Sequence, residues 1–134
     1  MTSTVKYLGS LRTEGTHLAS SKTLITDAPL DNQGKGEAFS PTDTVATGLA
    51  SCLLTIMGIK ARDLNVDLEG TYADVQKIMG THPRRIVEIK VEVHFPQTLE
   101  SKTKQILERA ARSCPVAKSL HPDLNQAISF HWPD

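Results

Sequence analysis

Residues 85–95 carry the clearest hydrophobic pattern of the chain. Every second residue from Val87 to Phe95 is apolar, and the residues between them are polar or charged. Because successive side chains of a strand point to opposite faces, this alternation predicts a strand with one face in the core and the other in water. The apolar positions are Val87, Ile89, Val91, Val93 and Phe95, and the polar positions are Glu88, Lys90, Glu92 and His94.

Shorter patterns predict the remaining strands. Residues 66–79 precede the alternating segment and are joined to it by Gly80-Thr81-His82-Pro83, which predicts a hairpin with Pro83 in its connection. Residues 5–8 and 22–26 are strand candidates, and Gly15 with its polar neighbours predicts a turn between them. Residues 127–132 form the last candidate.

A long helix is predicted over residues 41–62. Ser40 can cap it, Pro41 suits its first turn, and Asp43 completes a capping-box pattern. Apolar residues recur at helical spacing on one face, and small residues occupy a second face that another backbone can approach closely. The apolar face comprises Val45, Leu49, Cys52, Leu53, Ile56 and Ile59, and the small face comprises Thr44, Gly48, Ser51, Thr55 and Gly58.

The order of elements predicts the fold class. A second helix is expected over residues 98–112, and a short helix follows Cys114. Strands and helices are grouped along the chain, which favours an α+β fold with a mostly antiparallel sheet and a long central helix. A length of 134 residues is typical of a single domain, here 1–134. The residues expected inward on the second helix are Leu99, Ile106, Leu107, Ala110 and Ala111.

Charge and composition exclude several kinds of partner. The 15 basic and 15 acidic residues cancel, so we expect neither a nucleic-acid interface nor a basic membrane-surface patch. Residues 1–11 lack the apolar segment of a secretory signal. Thr47, Ser51, Thr55 and Lys60 interrupt the longest apolar stretch, which argues against a membrane span. The sequence therefore predicts a cytoplasmic protein.

Cys52 and Cys114 are the main candidates for chemically active residues. A cysteine in an apolar helix face is often an inert core residue, and Cys-Pro at a helix start is often only a junction. The alternative is a redox-active pair, because a helix start favours the thiolate of Cys114. A zinc site built from both cysteines and two scattered histidines is a weaker alternative, and His94 is expected at the surface.

The two cysteine segments resemble the OsmC/Ohr family, the osmotically inducible and organic-hydroperoxide-resistance proteins. The resemblance rests on Ser40-Pro41 followed by Leu49 and Cys52, and on Ser113-Cys114-Pro115-Val116 about 60 residues later. It implies an intertwined α+β homodimer whose central helices pack back to back. The small face of the predicted helix agrees with such packing.

The resemblance also implies a chemistry. Cys52 matches the family's peroxide-attacking cysteine, Cys114 the resolving one, and Arg12 the family's arginine in the first hairpin. The substrate would be an organic hydroperoxide, since Leu49, Leu53 and Ile56 would line the pocket, and an external dithiol would restore the thiols. No cofactor or metal is implied.

One position departs from the family pattern. The family glutamate ten residues before the first cysteine is replaced by Thr42, and Asp43 or Glu37 is a candidate substitute. The departure keeps a second function open. In that reading the protein uses the same dimeric fold to bind an apolar small molecule or to sense oxidants.

Overall fold

A computed structural model describes residues 1–133 as an α+β protein. Its strands are β1 (Ser3–Gly9), β2 (Arg12–His17), β3 (Thr23–Asp27), β4 (Tyr72–Gly80), β5 (Arg85–His94) and β6 (Asn125–His131). Its helices are α1 (Pro41–Asp63), α2 (Ser101–Ala111) and α3 (Pro115–Ser119), with a short 3₁₀ turn at Leu30–Asn32. Contacts divide the chain into two compact units, Met1–Val45 and Ala46–Asp134.

The first unit is a three-stranded antiparallel sheet in the order β1-β2-β3. The first turn was predicted at the wrong glycine. Gly15 lies inside β2, opposite Val5 and Leu24, whereas the chain reverses through Gly9, Ser10 and Leu11. All three of those residues have positive φ angles, which Gly9 adopts readily and which Ser10 and Leu11 rarely adopt.

The second unit contains a sheet in the order β4-β5-β6. Strands β4 and β5 form the expected antiparallel hairpin, although β4 begins at Tyr72 and not at residue 66. Strand β6 pairs with β5 in parallel. The predicted alternation of β5 is confirmed, because Ile89, Val91 and Val93 are fully buried.

Helix α1 matches the predicted segment and its capping box. The Asp43 carboxylate accepts a 2.9 Å hydrogen bond from the Ser40 N–H, and the Ser40 hydroxyl accepts a 3.0 Å bond from the Asp43 N–H. By length and composition alone this helix would also serve as a membrane span. One helix of this kind is weak evidence for a membrane span, because the core helix of a soluble protein passes the same test.

The buried face of α1 differs from the predicted apolar face. Val45 and Ile59 are 39% and 51% exposed, so they were wrongly assigned to the core. The buried residues pack against β5 and the end of α2, and the predicted small-residue face is left largely open. On α1 the buried residues are Ala46, Leu49, Ala50, Leu53, Met57 and Ala61.

Helix α2 is shorter than the predicted segment, and Leu99 lies outside it. Its side facing the core is formed by Leu107 and Ala111, which are fully buried. The chain then turns through Ser113 into α3, and Cys114 is the residue at which that helix begins.

Candidate functional site

Cys52 lies near the middle of α1, at the margin of the buried face. It is partly buried, follows the turn that carries the fully buried Leu49, and packs against the core of the second unit. Leu49 and Leu53 have no exposed surface, so the expectation that they line an open pocket is wrong. Ile56 is half-buried and packs against the same core.

Cys114 is the capping residue of α3 and has no exposed surface. Its Sγ accepts a hydrogen bond of 3.3 Å from the backbone N–H of Ala117. Burial raises the pKa of the Cys114 thiol, because a buried thiolate loses its hydration. The Ala117 N–H opposes this shift, and the neighbouring Cys52 thiol adds to it, so the net pKa of Cys114 is raised.

The fold brings the two thiols together although they are 62 residues apart in the sequence. Cys52 packs against the buried cluster that contains Cys114, and it is close enough to contribute to the raised pKa of the Cys114 thiol. Both are free thiols. Two adjacent thiols, one of them partly accessible, can form a disulfide and be reduced again by thiol exchange.

Arg12 belongs to the first unit, where it is held by two carboxylates. Its Nε donates a hydrogen bond to Asp27 Oδ1 and its Nη2 donates one to Asp27 Oδ2, both at 2.8 Å. Nη2 also donates to Glu37 Oε1 at 3.0 Å. Asp27 is only 2% exposed and pairs with Arg12 across β2 and β3. The Arg12 hydrogen bonds hold the pKa of the Asp27 carboxyl below its usual value, and they raise the pKa of Arg12.

The loop after β3 positions Glu37. The Glu37 N–H donates a 3.1 Å hydrogen bond to Asp27 Oδ2, which fixes the backbone beside the ion pair. Gly34 allows the loop to close, because a Cβ at this position would clash with the Ala28 carbonyl oxygen. Glu37 is therefore a carboxylate partner of Arg12, whereas Asp43 is engaged in the capping of α1.

The chain matches the family model described as OsmC-like protein over residues 34–128. The matched segment contains both cysteines and most of the chain. The protein belongs to the OsmC family. No curated protein matches it.

Solved structures of several bacterial proteins are similar to this chain over nearly its whole length. A protein of Psychrobacter arcticus, named as a candidate osmotic-stress-induced and detoxification response protein, is 56% identical with a TM-score of 0.95, and the match covers 98% of this chain and 96% of the other. An organic hydroperoxide resistance protein OsmC of Legionella pneumophila is 16% identical with a TM-score of 0.76, covering 97% and 96%. OhrB of Bacillus subtilis is 18% identical with a TM-score of 0.72, covering 98% of each chain.

Sequence reasoning found both cysteines of this OsmC-family protein and missed Asp27. The missing signal was the register of β2 against β3, which places Asp27 directly opposite Arg12. Position 42, where the family glutamate is absent, is a threonine whose hydroxyl lies 3.2 Å from that of Ser40.

The zinc alternative from both cysteines and two histidines does not match the structure. Within residues 1–133, the one cluster of three or more potential ligands consists of Glu92, His94 and His131. It includes neither cysteine.

Proposed function

We propose that this protein reduces organic hydroperoxides with its two cysteines. The observation that carries the proposal is the adjacency of the Cys52 and Cys114 thiols in a water-poor cluster of the second unit. Membership of the OsmC family supports it, as do the structural neighbours named for organic hydroperoxide resistance.

In the first step, the Cys52 thiolate attacks the distal oxygen of the hydroperoxide R–O–O–H. The O–O bond breaks, Cys52 is oxidised to a sulfenic acid, and the RO⁻ leaving group takes up a proton to leave as an alcohol. Partial burial suits Cys52 to this role, because the thiol meets a small substrate while the intermediate stays shielded from bulk solvent.

In the second step, Cys114 resolves the sulfenic acid. Its sulfur bonds to the sulfur of Cys52, and the Cys114 proton leaves with the sulfenic hydroxyl as water. Cys114 has no exposed surface whereas Cys52 is partly exposed, so Cys52 is the cysteine that meets peroxide first. An external dithiol then reduces the disulfide by exchange, as expected in the cytoplasm.

A matched set of cysteine variants tests this proposal. Reduced protein receives one equivalent of cumene hydroperoxide, and free thiols and intact mass are measured over time. We expect the wild type to lose both thiols and two hydrogens. Cys114→Ser should gain one oxygen and stop there, and Cys52→Ser should keep its thiol. Equal peroxide consumption by the wild type and Cys52→Ser would exclude the proposal.

Arg12 enters the proposal on the sequence resemblance. We expect Arg12→Ala to slow the oxidation of Cys52 at least about tenfold, in line with the loss of a positioned charge. Glu37→Gln is the matched control for the ion pair, because it leaves the Arg12–Asp27 contact intact. If Arg12→Ala is oxidised at the wild-type rate in folded protein, Arg12 is a structural residue only.

The second candidate function is the binding of an apolar small molecule without peroxide reduction. A groove of about 680 Å³ beside α1, lined in part by Leu54, Met57 and Leu68, favours it. The same peroxide experiment separates the two functions. Two thiols that stay free after prolonged exposure would favour binding or sensing.

A second copy of this chain is the proposed partner. A Cβ built on Gly48 or Gly58 of α1 would meet no atom within 4 Å, so the small-residue face is open to another backbone. Val45 and Ile59 on the same helix are exposed apolar residues. We expect the reduced protein to sediment as a dimer, and Gly58→Glu to produce monomers because a charged side chain would enter the interface.

A further inference from the structure

The face of the second sheet that is turned away from the core carries two rows of polar side chains. Strand pairing places Tyr72, His94 and His131 in one row, because His94 is opposite Tyr72 on β4 and opposite His131 on β6. The next row runs from Asp74 through Glu92 to Ser129. The rows are adjacent because His94 and Glu92 are two residues apart on β5 and share one face.

The aromatic rings of the first row are stacked. The ring centroids of Tyr72 and His94 are 4.8 Å apart, and those of His94 and His131 are also 4.8 Å apart, with interplanar angles of 20° and 15°. Stacking from both sides holds the imidazole of His94 in place. Two imidazoles are thereby held side by side at the same level of neighbouring strands.

Both histidines turn their Nε2 atoms towards the second row. His131 Nε2 lies 3.7 Å from Glu92 Oε1 and 3.2 Å from Ser129 Oγ. His94 Nε2 lies 3.3 Å from Asp74 Oδ2. Two imidazoles and the Glu92 carboxylate thus lie close together on the sheet, with Asp74 beside His94.

His94 Nε2 is the unusual atom of this group. It is sealed from solvent, and its geometry towards Asp74 does not make a hydrogen bond, so it has no hydrogen-bond partner among the described residues. Buried polar atoms are nearly always satisfied, so an orphaned imidazole nitrogen that faces carboxylates needs an explanation. A cation bound by that nitrogen supplies one.

We propose that Glu92, His94 and His131 bind a divalent transition-metal ion, with Asp74 as an additional carboxylate. One donor atom from each of the three residues lies within 4.8 Å of the others. A metal bound through Nε2 lies near the plane of its imidazole, so one of the two stacked rings has to rotate about its side-chain torsions before both can bind a metal at about 2.0–2.2 Å. Imidazole with carboxylate selects Zn²⁺, Ni²⁺ or Cu²⁺ over Ca²⁺ and Mg²⁺, which prefer oxygen ligands alone.

This site is independent of the cysteines. Its three ligands lie on the polar face of β5 and β6, whereas Cys52 and Cys114 belong to the buried cluster on the other side of β5. The two sites therefore predict different responses to mutation. Metal binding should not require either thiol.

Titration of Zn²⁺ into the reduced full-length protein by calorimetry tests the proposal. We expect one ion per chain in the wild type. His94→Ala and His131→Ala should each weaken zinc binding at least about tenfold, because each removes a ligand. His121→Ala is the matched control, since its imidazole is exposed and lies outside the cluster, and it should bind zinc as the wild type does.

Further variants distinguish the outcomes. Glu92→Gln should also weaken binding, and because Glu92 is exposed this variant tests the site even if His94→Ala does not fold. Added Ni²⁺ should broaden the NMR ring signals of Tyr72 before those of Tyr7. Absence of zinc binding by the wild type would overturn the proposal. So would binding that persists in both histidine variants, or binding that is lost in Cys52→Ser.

Discussion

The two compact units of this protein are stabilised by different interactions. In the second unit, β5 buries Ile89, Val91 and Val93 completely beneath α1. In the first unit, β1 has no buried residue, and its Val5 and Tyr7 are largely exposed. The one buried residue of β1, β2 and β3 is Asp27, and it forms an ion pair with Arg12.

The difference indicates what each unit contributes to the protein. Apolar burial in the second unit encloses Cys114 and packs Cys52 against the same cluster, which suits the proposed formation of a disulfide between them. The first unit fixes a cation between carboxylates and leaves apolar surface uncovered. Exposed apolar patches of this kind mark interaction surfaces, which agrees with the proposed dimer.

Truncation of one leucine in each unit should give the largest difference in unfolding free energy between the two units. Leu107→Ala should cost about 3 kcal/mol of unfolding free energy, since Leu107 is fully buried and its removal leaves a cavity. Leu24→Ala on β3 is the matched control, because Leu24 is 48% exposed, and it should cost less than about 1 kcal/mol in the isolated chain. Urea unfolding at two protein concentrations measures both.

The concentration dependence decides how the leucine pair is interpreted. The cost of Leu107→Ala should be the same at both concentrations, because the residue is buried within one chain. A cost of Leu24→Ala that changes with concentration would place Leu24 in the dimer interface. If both variants lost the same large amount of unfolding free energy, the proposed difference between the two units would be wrong.

Asp27→Asn tests the ionic contact and should have a smaller effect on stability. Because the folded pKa of Asp27 is lowered, its carboxylate stabilises the folded protein above the usual pKa of about 3.9. That contribution is lost as the pH falls through the lower folded pKa. The variant should therefore melt at a lower temperature at pH 7, and the difference from the wild type should shrink in acid.

Glu37→Gln is the control for that experiment. Its carboxylate is exposed and accepts one hydrogen bond from Arg12, so water and salt screen the interaction. We expect almost no change in melting temperature at any pH. If Glu37→Gln lowered the melting temperature as much as Asp27→Asn, the loop after β3, and not the Arg12–Asp27 ion pair, would stabilise the first unit.

Ser40→Ala, at the start of α1, should lower the stability of the protein by a still smaller amount. The Ser40 hydroxyl accepts the Asp43 N–H hydrogen bond, and removal of such a cap costs about 1 kcal/mol. Ser40→Thr keeps the hydroxyl and is the matched control. A loss of stability in Ser40→Ala that the threonine variant shares would show that packing around Ser40, and not the cap, is responsible.

Local patterns predicted α1 and β5 well, because each depends on signals within a few residues. The capping box of Ser40 and Asp43 fixes where α1 begins, and strict alternation identifies the buried face of β5. The turn at Ser10 and Leu11 was missed because neither residue favours the positive φ angle that it adopts. The rotation of the buried face of α1 depends on its neighbours, which no helical period specifies.

The candidate sites required more than spacing. The distance of 62 residues between Cys52 and Cys114 carries no structural signal. The residues alone left a redox pair and two inert cysteines as alternatives, and the resemblance to the OsmC/Ohr family favoured the pair. The partners of Arg12 follow from the register of β2 and β3, and the stacked His94 and His131 follow from the parallel pairing of β5 and β6. Register is a property of the folded sheet, so it was not available from either strand alone.

The raised pKa of Cys114 should have the smallest effect of all on the free energy of unfolding near neutral pH. Its effect should become clear in alkaline solution. The thiol is protonated in both the folded and the unfolded chain at pH 7, so its shift contributes no pH dependence there. Above the ordinary thiol pKa of about 8.5, the unfolded chain releases its proton first, and the folded protein loses stability as the pH rises through the folded pKa.

The comparison of Cys52→Ser with Cys52→Ser/Cys114→Ser isolates the contribution of the Cys114 thiol. Their unfolding free energies should differ by a constant amount up to about pH 8 and should converge or cross above it. A constant difference through the alkaline range would mean that Cys114 titrates normally.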